Sequence, residues 1–239
     1  MNKVERAIIM AAGFGQRMKP VSLSVPKPMI KINGTRMIDS IIKGLINNGI
    51  DEIYIVVGYL KEQFKVLEEE YQGLKLIENP YYDTCNNISS LYVAREHIQN
   101  AIILDGDQMI FNDSILDPVF EKSGYNAVWC EKETNEWLMT VKNNKVINCS
   151  RTGGKKGWQL FSISRWTAED GARLKKHLEF EFVENMNRKI YWDDVVMFYH
   201  FEDYDLGIRE MQYDDIVEID NYEELIAIDE SYRSWRNKL

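Results

Sequence analysis

Residues 11–28, which read AAGFGQRMKPVSLSVPKP, combine glycines, positive charges and prolines in a pattern that suits phosphate binding. Gly13 and Gly15 lack side chains, so backbone N–H groups can approach an anion closely at this point. Arg17 follows and can donate a fork of hydrogen bonds to phosphate oxygens. Two prolines flank Lys27 and stiffen the chain around that positive charge. The segment therefore predicts a rigid, cationic cradle for the phosphates of a nucleotide.

Two better-known phosphate-binding signatures do not match this segment. The dinucleotide-binding fingerprint needs a third glycine, and Met18 stands at that place. The P-loop needs a Gly-Lys pair after a four-residue spacer, and this pair is absent. A Gly-x-Gly turn after a strand also occurs without any ligand, so the prediction depends on the surrounding cations and prolines.

The charge distribution favours a small anionic ligand over a nucleic acid. The formal net charge of the chain is -9, yet no Asp or Glu occurs from Ala7 to Ile38. Residues 201–230, by contrast, carry twelve acids and one base. An acidic chain is unsuited to general binding of nucleic acid, whereas a local cationic stretch within it fits a small anion.

The elements that must position the loop alternate between strand and helix in the first half of the chain. Continuous apolar runs predict buried strands at ERAIIMAA, EIYIVVGY, LKLIEN and AIILDGD. Apolar residues at helical spacing predict helices over residues 35–48, 60–72 and 87–98. This alternation predicts an α/β fold with a mostly parallel, Rossmann-like mixed sheet flanked by helices.

The second half changes character and predicts a small β-rich lobe. Strand signals joined by tight turns occur at NAVWCEKE, WLMTVKNN, KVINCS and GWQLFSIS. Helices are predicted from Thr167 and over residues 193–199. Short strands near Ile208 and Ile216 precede a last helix, which Asn221 opens as an N-cap.

Several residue counts exclude other classes of protein. No apolar run approaches the ~20 residues of a membrane helix, and the N-terminal run is too short for a secretion signal. The chain has three cysteines, an odd number, spaced far apart, which predicts a reducing cytoplasm and no disulfide framework. His97, His177 and His200 lack metal-ligand spacing and are predicted to be surface or satisfied core residues.

The loop resembles the signature of nucleotidyltransferases that join a nucleoside monophosphate to a phosphorylated small molecule. Both halves of that signature are present, Gly-x-Gly-x-Arg-x-x-Pro and Pro-Lys-Pro, although Ser22 stands where the family usually has Thr. A narrower resemblance, to bacterial choline-phosphate cytidylyltransferases, covers nearly the whole chain in the same order. It rests on VGYLKEQF, YYDTCNNISSLY, TNEW, YWDD and EID.

The resemblance implies a GT-A-like nucleotidyltransferase fold with a nucleotide site on the first part of the chain. We predict one domain over 1–239: 1–124 mainly binds nucleotide, 125–200 forms the acceptor lobe, and 201–239 returns a metal ligand. The implied nucleotide-binding residues are Ala11, Ala12, Gly13, Phe14, Gly15, Gln16, Arg17, Lys27, Gly58, Tyr59, Asn86, Asn87, Ser89 and Asp105. Of these, the resemblance assigns Asn86, Asn87 and Ser89 to the cytosine edge.

The resemblance also implies a magnesium site. Mg²⁺ prefers one or two carboxylates together with phosphate oxygens and water. In the resembled family the last acid of the LDGD motif, here Asp107, is a ligand, and the EID motif points to Asp220 as the second. The alternative interpretations are structural: Asp107 is a turn residue, and Asp220 is an acid at a helix start, where the helix dipole favours negative charge.

The acceptor pocket is implied to contain Trp137, Tyr191, Trp192, Asp193 and Glu218. A trimethylammonium group has no N–H to donate, so aromatic faces bind it, each contact contributing up to ~2 kcal/mol when desolvated. Tryptophans more often fill a core, which is the alternative for Trp137 and Trp192.

These implications predict an enzyme that binds CTP, Mg²⁺ and phosphocholine and catalyses in-line transfer of CMP, with Arg17 and Lys27 as catalytic cations. Neither nucleic acid nor membrane is predicted as a partner, and the oligomeric state is left open. The alternatives are nucleotidyl transfer to 2-aminoethylphosphonate or a sugar 1-phosphate, and a non-catalytic nucleotide sensor. A sensor could dispense with the metal-binding acids, so the presence of Asp107 and Asp220 argues against it.

Overall fold

The computed structural model describes residues 1–238 and contains a central mixed sheet with helices on both faces. The strands are β1 Asn2–Lys3, β2 Arg6–Ala11, β3 Lys31–Ile32, β4 Thr35–Arg36, β5 Glu52–Val57, β6 Leu74–Glu78, β7 Ala101–Asp105, β8 Gln108–Ile110, β9 Val119–Phe120, β10 Gly124–Cys130, β11 Leu138–Lys142, β12 Lys145–Ser150, β13 Gly157–Arg165, β14 Gly207–Glu210 and β15 Ile216–Glu218. The α-helices are α1 Met37–Asn47, α2 Lys65–Glu70, α3 Ile88–Val93, α4 Ala168–Glu179, α5 Trp192–Asp194 and α6 Tyr222–Ile228.

The main sheet has the order β12-β11-β13-β7-β2-β5-β6, with β10 also paired to β13 and β14 to β10. Strand β2 is parallel to β5 and β7, and β5 is parallel to β6. Strand β13 is antiparallel to β7, so the strands of the second half extend the sheet of the first half. The predicted fold class, a mostly parallel mixed sheet flanked by helices, is confirmed.

Strand β2 is buried on both faces because helices cover the sheet from both sides. Ala7 and Ile9 pack in a core with the apolar face of α1, whereas Ile8 and Met10 pack in a second core with α3 and α4. This explains why its sequence is a continuous apolar run and not an alternating one.

Capping residues set the helix boundaries near the predicted positions. The Thr167 side chain accepts a hydrogen bond from the Asp170 N–H (3.1 Å) and opens α4. Asn221 accepts from the Glu224 N–H (3.0 Å) and opens α6. The helix predicted over 60–72 begins as a 3-10 turn at Lys61–Phe64 before α2, because Leu60 is in the left-handed conformation (φ 51°).

A third, smaller core fixes the loop of residues 16–32 against the C-terminal part of the chain. It contains Met18, Val21, Ile30, Ile32, Met37, Met109, Ile219, Tyr222, Leu225 and Ile226. The apolar residues of the loop therefore face α6 and the end of β15, and the polar residues of the loop face away from them. This packing brings Arg17 and Lys27 close to Asp220, although some 200 residues separate them in sequence.

Among the described residues, no helix is both long enough and apolar enough to cross a membrane.

Candidate active site

Three adjoining cavities form one cleft beyond the carboxyl ends of β2 and β7, where open α/β sheets place their ligands. Their volumes are about 190, 280 and 340 Å³. Gly13 lines both the first and the second cavity, and Arg17, Asp107 and Asp220 line both the second and the third. We call them the base cavity, the loop cavity and the acceptor cavity.

The loop cavity is lined by the predicted phosphate-binding segment. Its walls are Met10, Ala11, Gly13, Gly15, Gln16, Arg17, Lys27, Pro28, Asp107 and Asp220. Gly15 has φ 58°, a left-handed conformation that favours glycine, and a Cβ there would lie 3.0 Å from the Cβ of Lys27. A Cβ on Gly13 would meet no atom within 4 Å, so this backbone faces the open cavity. Gly15 therefore gives the loop its shape, and Gly13 leaves space for a ligand.

Lys27 lies at the centre of the cleft, with a side chain that is 9% exposed. Its ammonium donates to Asp107 Oδ2 at 2.6 Å and to Asp220 Oδ1 at 3.2 Å. Burial lowers the pKa of Lys27, but the two carboxylates outweigh this effect, so its pKa is raised and the side chain is charged. Arg17 donates to the same Asp220 oxygen at 2.8 Å and is 67% exposed. The two cations thus converge on the acids that the sequence assigned to metal binding.

Asp107, Glu218 and Asp220 form a carboxylate cluster whose ligand atoms lie within 4.8 Å of one another. The Oδ1 atom of Asp107 is buried and has no hydrogen-bond partner. A buried carboxylate oxygen without a partner is costly unless a cation or donor binds it. All-oxygen ligands suit Mg²⁺, so the residues present fit the predicted ion. The sequence placed Glu218 in the acceptor pocket, and it lines that cavity as well.

The pairing of two short strands creates this cluster. Strand β15 is antiparallel to β8, with Glu218 opposite Gln108. Asp107 directly precedes Gln108, and Asp220 follows β15 by two residues, so the three carboxylates meet at one end of the pair.

The concentration of acids in the cleft alters their protonation. Burial, and then the charge of Asp107, raise the pKa of Asp105 to about 7, while its hydrogen bond from Ser162 opposes the shift. Desolvation within the cleft, and then the charges of Asp107 and Asp220, raise the pKa of Glu218 well above its usual range. The cleft is thus strongly receptive to positive charge.

The base cavity is lined by Ala12, Gly13, Asn79, Tyr82, Cys85, Asn86, Asn87, Ser89 and Ser90. Ser89 already donates to the Asn86 carbonyl (2.8 Å) and accepts from the buried amide of Asn79 (2.9 Å). Asn86 donates through its side chain to the Lys189 carbonyl at 3.1 Å. These polar groups are therefore held in place by hydrogen bonds within the protein.

Phe14, Gly58 and Tyr59 do not line the described cavities, although the resemblance assigned them to the nucleotide. The Phe14 ring packs against Tyr59 and Tyr82, with centroids 4.9 and 5.3 Å away. A Cβ on Gly58 would lie 2.6 Å from Tyr82 Cβ. These residues hold the glycine loop against the base cavity.

The acceptor cavity combines aromatic and acidic side chains. Its walls are Arg17, Asn87, Asp105, Asp107, Glu136, Trp137, Leu160, Ser162, Tyr191, Asp193, Glu218 and Asp220. The rings of Trp137 and Tyr191 meet edge to face, with centroids 6.2 Å apart. Asp193 is 8% exposed, and its Oδ1 atom has no hydrogen-bond partner. Burial, and then the charge of Asp105, raise the pKa of Asp193 well above its usual value.

Trp192 does not reach this cavity, which corrects its predicted role. Its side chain is 1% exposed, stacked on Tyr125 at 6.0 Å and edge-on to Trp166 at 6.0 Å. Its backbone N–H donates to Asn87 Oδ1 at 2.9 Å. Tyr191 is the N-cap of α5, in an extended conformation, and Trp192 is the first residue of the helix. The Tyr191 side chain faces the cavity and the Trp192 side chain the core.

We expect opposite effects from replacing these two neighbours with alanine. Tyr191→Ala should raise the KM for the acceptor with little change in stability, because Tyr191 is 51% exposed and lines the cavity. Trp192→Ala should lower the free energy of unfolding by about 3–5 kcal/mol, the usual cost of removing a buried aromatic residue. Steady-state kinetics and urea unfolding measure both quantities. A large acceptor-KM effect in Trp192→Phe with unchanged stability would contradict this division.

Several residues of the cleft were missed in the sequence. Glu136 and Ser162 line the acceptor cavity, while Asn79, Tyr82, Cys85 and Ser90 line the base cavity. Glu136 lies within the TNEW motif and could have been found there. Ser162 shows only as a polar residue inside an apolar strand, and Asn79 only as a turn residue before proline.

The chain belongs to the family of the MobA-like NTP transferase domain, whose model matches residues 7–173. This membership confirms the predicted nucleotidyltransferase class, and with it an enzyme in preference to a non-catalytic sensor.

Curated relatives narrow the resemblance. The chain is 36% identical to the 2-aminoethylphosphonate cytidylyltransferase of Lancefieldella rimae, over 95% of this chain and 92% of that one. It is 31% identical to the choline-phosphate cytidylyltransferase of Streptococcus pneumoniae, over 94% and 97%. A solved structure of the CTP:phosphocholine cytidylyltransferase from Streptococcus pneumoniae superposes with a TM-score of 0.86, at 31% identity, covering 96% of this chain and 99% of the other. The predicted resemblance to choline-phosphate cytidylyltransferases is therefore confirmed.

Proposed function

We propose that this chain transfers CMP from CTP to phosphocholine and releases CDP-choline and pyrophosphate. The observation that carries the proposal is the continuity of the cleft. Trp137, Tyr191 and several carboxylates line a cavity that also includes Asp107, and Asp107 is bonded to Lys27 of the loop cavity. Aromatic faces and negative charge are what a trimethylammonium group requires. The relative from Streptococcus pneumoniae, a choline-phosphate cytidylyltransferase, supports the same acceptor.

The nucleotide is proposed to extend from the base cavity into the loop cavity. Asn87 and Ser89 would face the cytosine, and the backbone around Gly13 and Gly15 would hold phosphate oxygens. Arg17 is mostly exposed and long enough to follow the outer phosphates. Lys27 lies deeper, where the loop and acceptor cavities meet, and would neutralise charge at the reacting phosphates.

Mg²⁺ is the proposed cofactor, with Asp107 and Asp220 as ligands and Glu218 close enough to join them. The unpartnered Oδ1 of Asp107 supports this assignment. When bound, the ion would polarise the α-phosphate and stabilise the departing pyrophosphate. Lys27 and Arg17 form salt bridges with these acids, and a metal ion that balanced the carboxylates would leave both cations available to the phosphates.

The proposed reaction needs no protein nucleophile. An oxygen of the phosphocholine phosphate is anionic at neutral pH and attacks the α-phosphorus of CTP in line. A new P–O bond forms as the bond from the α-phosphorus to its bridging oxygen breaks, and that electron pair leaves with pyrophosphate. The protein contributes by aligning the two phosphates and by supplying positive charge where negative charge develops.

A second acceptor, 2-aminoethylphosphonate, is favoured by one specific observation. Asp193 lines the acceptor cavity with a largely buried carboxyl group. A primary ammonium can donate a hydrogen bond to it, whereas a trimethylammonium cannot. The relative from Lancefieldella rimae acts on this compound by name.

Pyrophosphate release from CTP tests these proposals when phosphocholine, 2-aminoethylphosphonate and glucose 1-phosphate are offered in parallel. We expect the highest kcat/KM with phosphocholine, and a loss of at least tenfold for this acceptor in Tyr191→Ala. A higher kcat/KM with 2-aminoethylphosphonate, lost in Asp193→Asn, would overturn the choice of phosphocholine and support the second acceptor. A preference for the sugar phosphate would overturn both.

The proposed setting is the cytoplasm. Cys85, Cys130 and Cys149 are all free thiols, as a reducing compartment requires.

A further inference from the structure

A second cluster of metal-ligand side chains lies outside the cleft, where His177 meets the neighbouring pair His200 and Asp203. His177 lies in the last turn of α4, and His200 and Asp203 follow the π-helical segment Val195–Tyr199. One ligand atom from each of the three lies within 4.8 Å of the other two. The sequence predicted surface or satisfied core histidines without metal-ligand spacing. In the structure the rings of His177 and His200 are stacked 3.8 Å apart.

Each imidazole is oriented through its outer nitrogen. His177 Nδ1 is hydrogen-bonded to the Tyr204 hydroxyl at 2.8 Å. His200 Nε2 is hydrogen-bonded to Glu181 Oε1 at 2.9 Å, and Glu181 is itself buried at 2% exposure. The side-chain amide of Asn185 donates to the other Glu181 oxygen at 3.1 Å. Metal-binding histidines are usually held in this way, with a carboxylate or other oxygen on the far nitrogen.

The inner nitrogens both face one carboxylate oxygen. Nε2 of His177 and Nδ1 of His200 each lie 3.7 Å from Asp203 Oδ2. In a tetrahedral zinc site with bonds of about 2.0–2.2 Å, neighbouring ligand atoms are separated by about 3.4 Å. Both nitrogen-to-oxygen distances are therefore within a few tenths of an ångström of ligand spacing. The rings are stacked and nearly parallel, so one ring must rotate out of the stack for both lone pairs to reach a shared ion.

We propose that His177, His200 and Asp203 form a second metal site, specific for a zinc-class transition metal. Two imidazole nitrogens and one carboxylate oxygen suit Zn²⁺, Co²⁺ or Ni²⁺, whereas the all-oxygen cluster of the cleft suits Mg²⁺. Asp203 is 54% exposed, which leaves a fourth position open to water.

The position of the site gives it a structural consequence for the acceptor cavity. His177 and Asp203 bracket the segment that contains α5, and α5 carries Asp193 in the cavity wall. The carbonyl of Lys189 in the same segment accepts from Asn86 of the base cavity. A bound metal would join the two ends of this segment and raise its resistance to unfolding.

Titration of the metal-free full chain with Zn²⁺ and with Co²⁺ tests the site without any measurement of activity. We expect calorimetry to show a zinc site that Mg²⁺ does not fill and that persists in Asp220→Asn, in which the cleft cluster is weakened. His177→Gln and His200→Gln should weaken zinc binding at least tenfold. His97→Gln is the matched control, since His97 stacks on Tyr54 away from the cluster, and it should bind zinc as the unmodified chain does. Glu181→Gln should weaken binding ~10–100-fold.

Histidine ring signals in NMR test the unmodified chain in case a variant fails to fold. Zinc should shift the ring signals of His177 and His200 and leave those of His97 unchanged. The proposal is overturned if the unmodified chain binds no zinc at millimolar concentration. It is equally overturned if Asp220→Asn abolishes the binding, or if the ring signals of His177 and His200 do not respond.

Discussion

Lys27→Met is expected to lower kcat for pyrophosphate release by about 10²–10³-fold, the usual effect of removing one preorganised charge from a transition state. Lys27 is the buried cation of the cleft and lies where the loop and acceptor cavities meet. Methionine retains the apolar stem of the side chain and removes only the ammonium. The KM for the acceptor should change much less than kcat, because the charge acts mainly on the reacting phosphates.

Lys19→Met is the matched control, since Lys19 belongs to the same acid-free segment but is exposed and does not line the described cavities. It should retain nearly full turnover. Thermal unfolding of both variants separates loss of charge from loss of fold, because Lys27→Met leaves Asp107 without its cation. Near-normal turnover in a folded Lys27→Met protein would remove Lys27 from the reaction.

The sequence predicted the parts of the cleft that depend on local chemistry. Gly13 and Gly15 could be found because glycine permits backbone conformations that other residues avoid. Lys27 could be found because the prolines on both sides restrict the backbone that carries its charge. Asp107 could be found because it lies in the LDGD motif, two residues after a recognisable buried strand. Each of these signals lies within a few neighbouring residues, and the structure places all four residues around the loop cavity.

The sequence could not predict features that depend on the pairing of strands distant in sequence, or on which side chains of a short helix are buried. Glu218 joins Asp107 only because β15 pairs with β8, and neither three-residue strand has a pattern that specifies its partner. The resemblance of the YWDD motif assigns both Tyr191 and Trp192 to the cavity. A helix of three residues has no apolar periodicity that could show which of the two side chains is buried. His177 and His200 meet only after the intervening segment folds back.

Asp107→Asn is expected to lower kcat by at least ~10²-fold and to raise the Mg²⁺ concentration for half-maximal rate at least tenfold. The Oδ1 atom of Asp107 is buried without a partner. In asparagine the NH₂ group replaces one of the two carboxylate oxygens, so either the free metal-binding oxygen is lost or an amide is placed beside a cation. Asp220→Asn should produce the same pattern with a smaller loss, because Asp220 is also neutralised by Arg17. The measurement is pyrophosphate release over a Mg²⁺ titration. Asp51→Asn, at an exposed position outside the described cavities, should change neither quantity.

The double variant Lys27→Met/Asp107→Asn distinguishes a shared site from two independent ones. Lys27 Nζ and Asp107 Oδ2 are 2.6 Å apart, so each change removes a partner of the other. Groups that act as a unit give losses that are far from additive, and we expect the double variant to lose much less than the product of the single losses. Fully multiplicative losses would mean that cation and carboxylate contribute separately. In that case the salt bridge between Lys27 and Asp107 would have only a structural role, and another residue would have to bind the metal beside the triphosphate.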